Sequence, residues 1–245
     1  MNLRVFLAML LACVTLSTTS AEAASPAGAF ATKLGNLQIT LPLPIGFVDP
    51  SSAPADMVDL LSRNFGPKQR FMALLIPKDY LDKRAAGDPA AEMSRYFIVH
   101  TFRGFEDSGM SRAGFEANKA SIRHEGAQQM KSAEERSAST VDRMSKEVGT
   151  RTGDPAFSTK VGASAAVGVF DETPNSIAWA SIGPVPVTSS QGTKQTSLVR
   201  VVALVLVHDR PVNLLGYAAY NSPSDLVWIE QQTRDWVRRV GELNP

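Results

Sequence analysis

The sequence predicts an α+β fold, a single domain whose mainly antiparallel β-sheet is packed with helices in the manner of an α/β/α sandwich. Three observations predict it. Residues 161–220 are aliphatic runs separated by short polar turns, the pattern of antiparallel strands with tight connections. Apolar runs at 71–76 and 96–102 are too short for helices and are rich in aromatic and aliphatic side chains. From Ser222 onward the apolar residues recur at helical spacing.

The elements follow in order. Residues 24–36 are mostly small, include Pro26 and Gly28, and read as a flexible lead-in. The domain then spans 37–245. Leu37-Gln38-Ile39-Thr40-Leu41 alternates apolar and polar, as a half-buried strand does, and Pro42, Pro44 and Gly46 end it. Asp49-Pro50-Ser51-Ser52 marks a turn and a helix start. Met57, Leu60, Leu61 and Phe65 continue at helical spacing until Gly66-Pro67 stops them. Phe71–Ile76 and Tyr96–Phe102 read as strands covered on both faces. Lys78–Ser94, polar and broken by Gly87 and Pro89, reads as a loop with at most a helical turn.

Ser111–Val148 contains no proline. Phe115, Ile122, Met130, Val141, Met144 and Val148 are widely spaced anchors in a charged background. The pattern fits one long helix or two consecutive helices with a narrow apolar stripe and a wet outer face. Val161–Phe170 and Ile177–Ile182 read as strands joined by a turn at 171–175. Leu198–Val207, interrupted only by Arg200, reads as a central strand, and Val212–Tyr220 returns after the His208-Asp209-Arg210-Pro211 turn. In the last helix Ser222 can cap, Pro223 suits the first helical position, and Asp225 meets the positive end of the helix dipole. Leu226, Ile229, Trp236, Val237 and Val240 form its apolar face. Arg234, Arg238 and Arg239 lie toward its C-terminal end, where cations are favoured.

Residues 1–23 have the form of an export signal. Arg4 precedes an apolar run, Val5–Leu16, and Ala21-Glu22-Ala23 matches the A-x-A cleavage pattern through Ala21 and Ala23. The expected location is the periplasm or the outside of a bacterial cell. Leu10-Leu11-Ala12-Cys13 offers an alternative, a lipoprotein anchored through Cys13. After residue 24 no run is long enough to span a bilayer, and Val201–Val207 fits a buried strand better. Cys13 is the chain's one cysteine, so a chain cleaved after Ala23 has no disulfide, thiol nucleophile or cysteine metal ligand. Lys and Arg number 25 against 24 Asp and Glu, which gives no global electrostatic basis for binding nucleic acid.

No motif identifies a reaction. Gly162-Ala163-Ser164-Ala165-Ala166 lacks the second glycine of a nucleophile elbow, and no phosphate-cradling or dinucleotide glycine pattern occurs. Of the three histidines, His100 shares a strand face with Ile98 and Phe102 and reads as a hydrogen-bonded core or edge residue. His124 on the polar helix and His208 at a hairpin read as exposed. His124-Glu125 lacks the i+4 histidine of a zinc helix. Glu106-Asp107, Glu134-Glu135 and Asp171-Glu172 read as solvated carboxylates rather than acid–base pairs. Arg95 and Arg103 flank the aromatic strand, as surface residues or as an anion site. No catalytic residue, cofactor or metal is predicted.

Taken together, the opening strand with its Pro…Gly-aromatic ending (Leu37 to Phe47), the long aliphatic strand, the His208–Pro211 turn, the returning Leu214-Leu215-Gly216-Tyr217 strand and the closing amphipathic helix resemble the Mog1/PsbP-like α/β/α sandwiches. These include many small exported bacterial proteins of unknown role. The resemblance covers roughly a third of the chain, and the charged segment 111–148 departs from the family's compact pattern. It implies a binding or accessory role and, since the family shares no catalytic residues, no site to carry over.

The expected function is therefore a non-enzymatic envelope module for an unknown protein or small ligand. Segment 111–148 is its candidate partner-binding arm, whose deletion should spare folding. One alternative is an envelope hydrolase with His100 as base. The other is an inhibitor or immunity-type protein presenting an exposed loop aromatic such as Phe105.

Overall fold

The computed structural model describes residues 28–88, 91–160 and 162–245, with the backbone alone at 125–140 and 152. Ala21, Ala23, Cys13 and the rest of the signal segment lie outside the described residues.

In chain order the strands and α-helices are β1 (Ala29–Leu34), β2 (Leu37–Pro42), α1 (Ala55–Ser62), β3 (Gln69–Leu75), α2 (Lys78–Ala85), β4 (Arg95–Phe102), α3 (Arg112–Thr152), β5 (Ser158–Thr159), β6 (Ala165–Thr173), β7 (Ser176–Pro184), β8 (Val187–Ser189), β9 (Gly192–Lys194), β10 (Ser197–Val207), β11 (Arg210–Ala219) and α4 (Pro223–Leu243). The main sheet has six strands in the order β3-β4-β11-β10-β7-β6. Each neighbouring pair is antiparallel. β1 and β2 form a separate hairpin, and β5, β8 and β9 a small outlying sheet.

Side-chain alternation gives the sheet two faces. On one face Phe97, Val99, Val201, Val205 and Leu214 meet the β1–β2 hairpin and the apolar stripe of α4, from Ile229 to Val240, in the main core. The opposite face is covered in two places. Leu74, Ile76 and Ile98 lie under α1 and α2. Ile177, Leu204 and Leu206 lie under Phe115 and Ile122 from the first turns of α3. The result is the expected α+β sandwich.

Three expectations change in detail. Residues 29–34 belong to a buried strand rather than to a flexible lead-in: Phe30 and Leu34 sit in the core, and β1 pairs with β2 along its whole length. The turn between them uses Gly35 at φ +61°, where a Cβ would stand 2.2 Å from the Glu106 carbonyl oxygen, so only glycine fits. The stretch after Pro77 is a two-turn helix, α2. β3 is the edge strand of the sheet, and toward its C-terminal end it is covered on both faces as expected, Ala73 and Leu75 by the main core and Leu74 by α1 and α2. Segment 111–148 lies in one helix of 41 residues, capped by the Ser111 hydroxyl at one end and by Gly153 at φ 70° at the other.

That helix is tied down at both ends. Phe115 is fully buried, and Lys119, almost fully buried, donates to the Thr173 carbonyl (2.9 Å) and pairs with Glu116 and Glu172. Toward its C-terminal end Glu147 pairs with Arg63 of α1 at 2.8 Å, Arg143 bonds the Asn64 amide oxygen, and Ser145 accepts from the Thr159 amide at 3.1 Å. Deletion of 111–148 would strip the cover from Ile177, Leu204 and Leu206. The expectation that it spares folding is withdrawn on that ground.

α4 begins with a full capping box: the Asp225 carboxylate accepts from the Asn221 and Ser222 amides at 2.9 and 3.1 Å. These two bonds, with Arg95 beside them, hold its pKa below the ordinary aspartate value. The helix ends on a second clasp. The Thr40 amide donates to Asn244 Oδ1 at 3.0 Å, and Asn244 Nδ2 donates back to the Thr40 carbonyl at 2.7 Å.

Candidate binding groove

His100, the best sequence candidate for a base, is sealed in the core. It is 3% exposed. Its ring lies 5.2 Å from Phe65 and 5.6 Å from Phe102, and Phe71 stands opposite it on β3. Burial lowers its pKa to about 4, so it is neutral at pH 7, and its Nδ1 has no hydrogen-bond partner. Asn213, its register partner on β11, likewise has an Nδ2 without a partner. His100 is therefore a core histidine, but not a hydrogen-bonded one at Nδ1. Among the described residues no serine hydroxyl or carboxylate is bonded to it, so the arrangement required of a hydrolase base at His100 is not present there.

The other candidates are dispersed. His124 is exposed on α3. Arg95 pairs with Asp225 at 3.3 Å and lies 4.1 Å above the Trp228 ring, so it is not available to an anion. Arg103 is exposed with no counterpart from Arg95 beside it. Glu106 is held by Arg70 at 2.9 Å. Glu172 is bonded by Arg123 and Lys119, which hold its carboxyl far below the ordinary range. Ser164 bonds the guanidinium of Arg200. Phe105 is half-buried rather than displayed. The side chains of Glu134 and Glu135 lie outside the described residues. Among the described residues no group of three His, Cys, Asp or Glu side chains could hold a metal, and no helix is long and apolar enough to cross a membrane.

What the structure does bring together is a groove of about 690 Å³ where the ends of β10 and β6 meet the C-terminal half of α4 and the start of α3. Val205, Val207, Val237 and Val240 back it from the main core, where they are buried, and Arg112, Asp171, Asp209, Arg234, Asp235 and Arg238 give it charge. The β10–β11 turn that carries His208 and Asp209 has positive φ at both, 48° and 62°, the geometry of a two-residue hairpin of mirror-image type. A kink in β6 shapes the opposite wall. The register slips between Val169 and Asp171, and Arg234 reaches the freed Phe170 carbonyl at 3.2 Å while stacking on its ring.

The arginines are occupied. Arg112 binds the Pro174 carbonyl at 2.8 Å and the Asn175 side chain. Arg234 also pairs with Glu230, and Arg238 with Glu242 at 2.6 Å. Arg239, expected to serve the end of α4, instead binds the Leu43 and Gly28 carbonyls. The side-chain carboxylates of Asp171 and Asp209 make no hydrogen bond or ion pair among the described residues. Ser176 also lines the groove, but its hydroxyl is spent on Thr173 at 2.7 Å and is not bonded to His208. Among the described residues of the groove no nucleophile is hydrogen-bonded to a base.

Gly241 completes the wall. It is exposed and helical, and a Cβ built on it meets no atom within 4 Å. Glycine inside a helix costs about 1 kcal/mol relative to alanine, and packing does not require one at this position.

No protein-family model matches the chain, and no curated protein matches it. Among solved structures it is similar to a point mutant of the protein Mog1, with a TM-score of 0.31 and 12% identity over 88% of this chain and 92% of that one. It is also similar to the Ran-binding protein Mog1p of Saccharomyces cerevisiae, with a TM-score of 0.30 and 11% identity over the same shares. This weak structural likeness carries no argument about function.

Proposed function

We propose that the chain is a non-enzymatic binding module of the bacterial cell envelope, holding a partner or ligand in the groove beside the C-terminal half of α4. The groove carries this reading: a concavity of about 690 Å³ with oriented charges and a wall glycine that the fold does not need. Export is part of the proposal and rests on the sequence of residues 1–23, with Ala21 and Ala23 as the cleavage motif.

The test uses that glycine. Gly241→Trp should fill the groove without disturbing the core, and Gly241→Ala should leave it open. Proteins co-purifying with the chain from its native envelope are compared across the two variants and the parent. The expected result is a partner retained by Gly241→Ala and lost with Gly241→Trp. An unchanged set with Gly241→Trp, at unchanged thermal stability, would refute the groove as the site. For export, mass spectrometry should find a mature N-terminus at Ala24; an acylated Cys13 at the terminus would replace this with the lipoprotein alternative.

A further inference from the structure

His100 lies on the sheet face that α1 covers, and nothing around it meets a positive charge. Phe71 stands opposite it on β3 and Asn213 on β11, while Phe65, in the turn after α1, closes it at 5.2 Å. The charged groups of the neighbouring elements are engaged elsewhere. Arg70 of β3 pairs with Glu106, Arg95 of β4 with Asp225, and Arg210 of β11 bonds the Glu106 carbonyl. Arg63 of α1 pairs with Asp59 and with Glu147 of α3, Arg143 of α3 bonds Asn64, and Arg84 of α2 bonds Tyr80. The phenols of Tyr96 and Tyr217, on the same face, are pushed up by burial and stay protonated. An imidazolium at His100 would be a buried, unpaired charge, with Nδ1 lacking a hydrogen-bond partner.

Of the side chains that enclose the ring, Phe65 is the one not fixed in a strand. It belongs to a shallow cover. None of the eight residues of α1 is fully buried. Met57, Val58 and Leu61 only partly seal Leu74, Ile76 and Ile98 beneath them. The ion pairs that tie α1 to α3 are exposed, and pairs of that kind contribute little. The main core, by contrast, is closed by the β1–β2 hairpin and α4 and uses no residue of α1.

We infer that His100 and Phe65 form an acid-operated latch: when His100 takes up a proton, Phe65 swings out and α1 lifts from the sheet, baring Leu74, Ile76 and Ile98, while the main core on the opposite face stays packed.

Amide exchange of the whole chain, read by mass spectrometry at pH 7.5 and 4.5 and corrected for the intrinsic pH dependence of exchange, tests the latch. Opening gives His100 the ordinary value of 6.5 in place of about 4, so the open population should rise about 70-fold over this interval. Exchange across 55–65 should rise by that factor and be independent of urea at low concentration. Exchange across 201–207 should keep the steep urea dependence of global unfolding. In His100→Leu the rise at 55–65 should be lost. In Phe65→Ala it should shrink, because water then reaches the ring with α1 in place, and the His100 titration followed by NMR should move up toward 6.5. Amides of α1 that share the urea dependence of 201–207 would overturn the inference, and that comparison needs only the parent chain. A rise undiminished in His100→Leu would overturn it as well, since the ion pairs of α1 and α3 would then be the acid-sensitive element.

Discussion

Lowering the pH should destabilise this protein through His100 well before its carboxylates protonate. The unfolded histidine titrates at 6.5, and in the core the value is about 4. Below pH 6.5 the unfolded chain takes up a proton that the folded chain refuses, so stability falls as pH drops and levels off below about 4. At 1.36 kcal/mol per pH unit the full window is worth about 3.4 kcal/mol, and by pH 4.5 about 2.5 kcal/mol is already lost relative to pH 7.5. Burial lowers the His100 value, and a backbone hydrogen bond at Thr101 raises it by less. No charged group offsets the burial. Urea unfolding read by tryptophan fluorescence at pH 7.5 and 4.5, for the parent and for His100→Leu, measures the difference directly. Asp225 and Glu172, both shifted down, contribute equally to both proteins and cancel. The parent should lose about 2.5 kcal/mol more than the variant over this interval. Equal losses in the two proteins would refute the reasoning.

Other perturbations follow from the packing. Phe115→Ala should cost about 3–5 kcal/mol, since it empties the anchor of α3 over Ile177 and Leu204; chemical denaturation measures this. Gly35→Ala should cost at least about 1–3 kcal/mol, because it adds a left-handed strain to a clash with the Glu106 carbonyl; a lowered Tm is the readout. Asp225→Ala should lose about 1–2 kcal/mol with the capping box, and amide exchange should quicken first at Asn221 and Ser222.

The legible parts of the fold were those set by local chemistry. Ser222-Pro223-Ser224-Asp225 specifies a helix start whatever surrounds it, and the capping box formed as written. The aliphatic run 198–207 could be nothing but a covered strand, and it pairs on both sides. β1 was missed because Ala29-Phe30-Ala31-Thr32-Lys33-Leu34 is short and poor in β-branched residues; its partner across the Gly35-Asn36 turn supplies the order. That turn pair was the available signal. The two short strands at 187–194 pair only with each other and with β5, too few contacts to leave a pattern in sequence. The groove was not legible at all. Arg112, Asp171, His208 and Gly241 are far apart in the chain and meet only because α3 starts and α4 ends at one corner of the sheet. The helix pairs Glu230–Arg234 and Arg238–Glu242 have the i,i+4 spacing that sequence can show, but the Pro174 and Phe170 carbonyls that Arg112 and Arg234 also bind are exposed only by a turn and a kink.

The strand order has a consequence for how the chain is made. β4 finds its second neighbour only in β11, and Thr101 bonds the Pro211 carbonyl across 110 residues. The first hundred residues therefore emerge from the ribosome with a hairpin and an edge pair but no sheet to rest on. Their burial waits for the last strand and for α4, which lies across β2 and carries the Asn244 clasp. Such a chain completes its native sheet late, when its C-terminal end arrives and the non-local β4–β11 pairing can form.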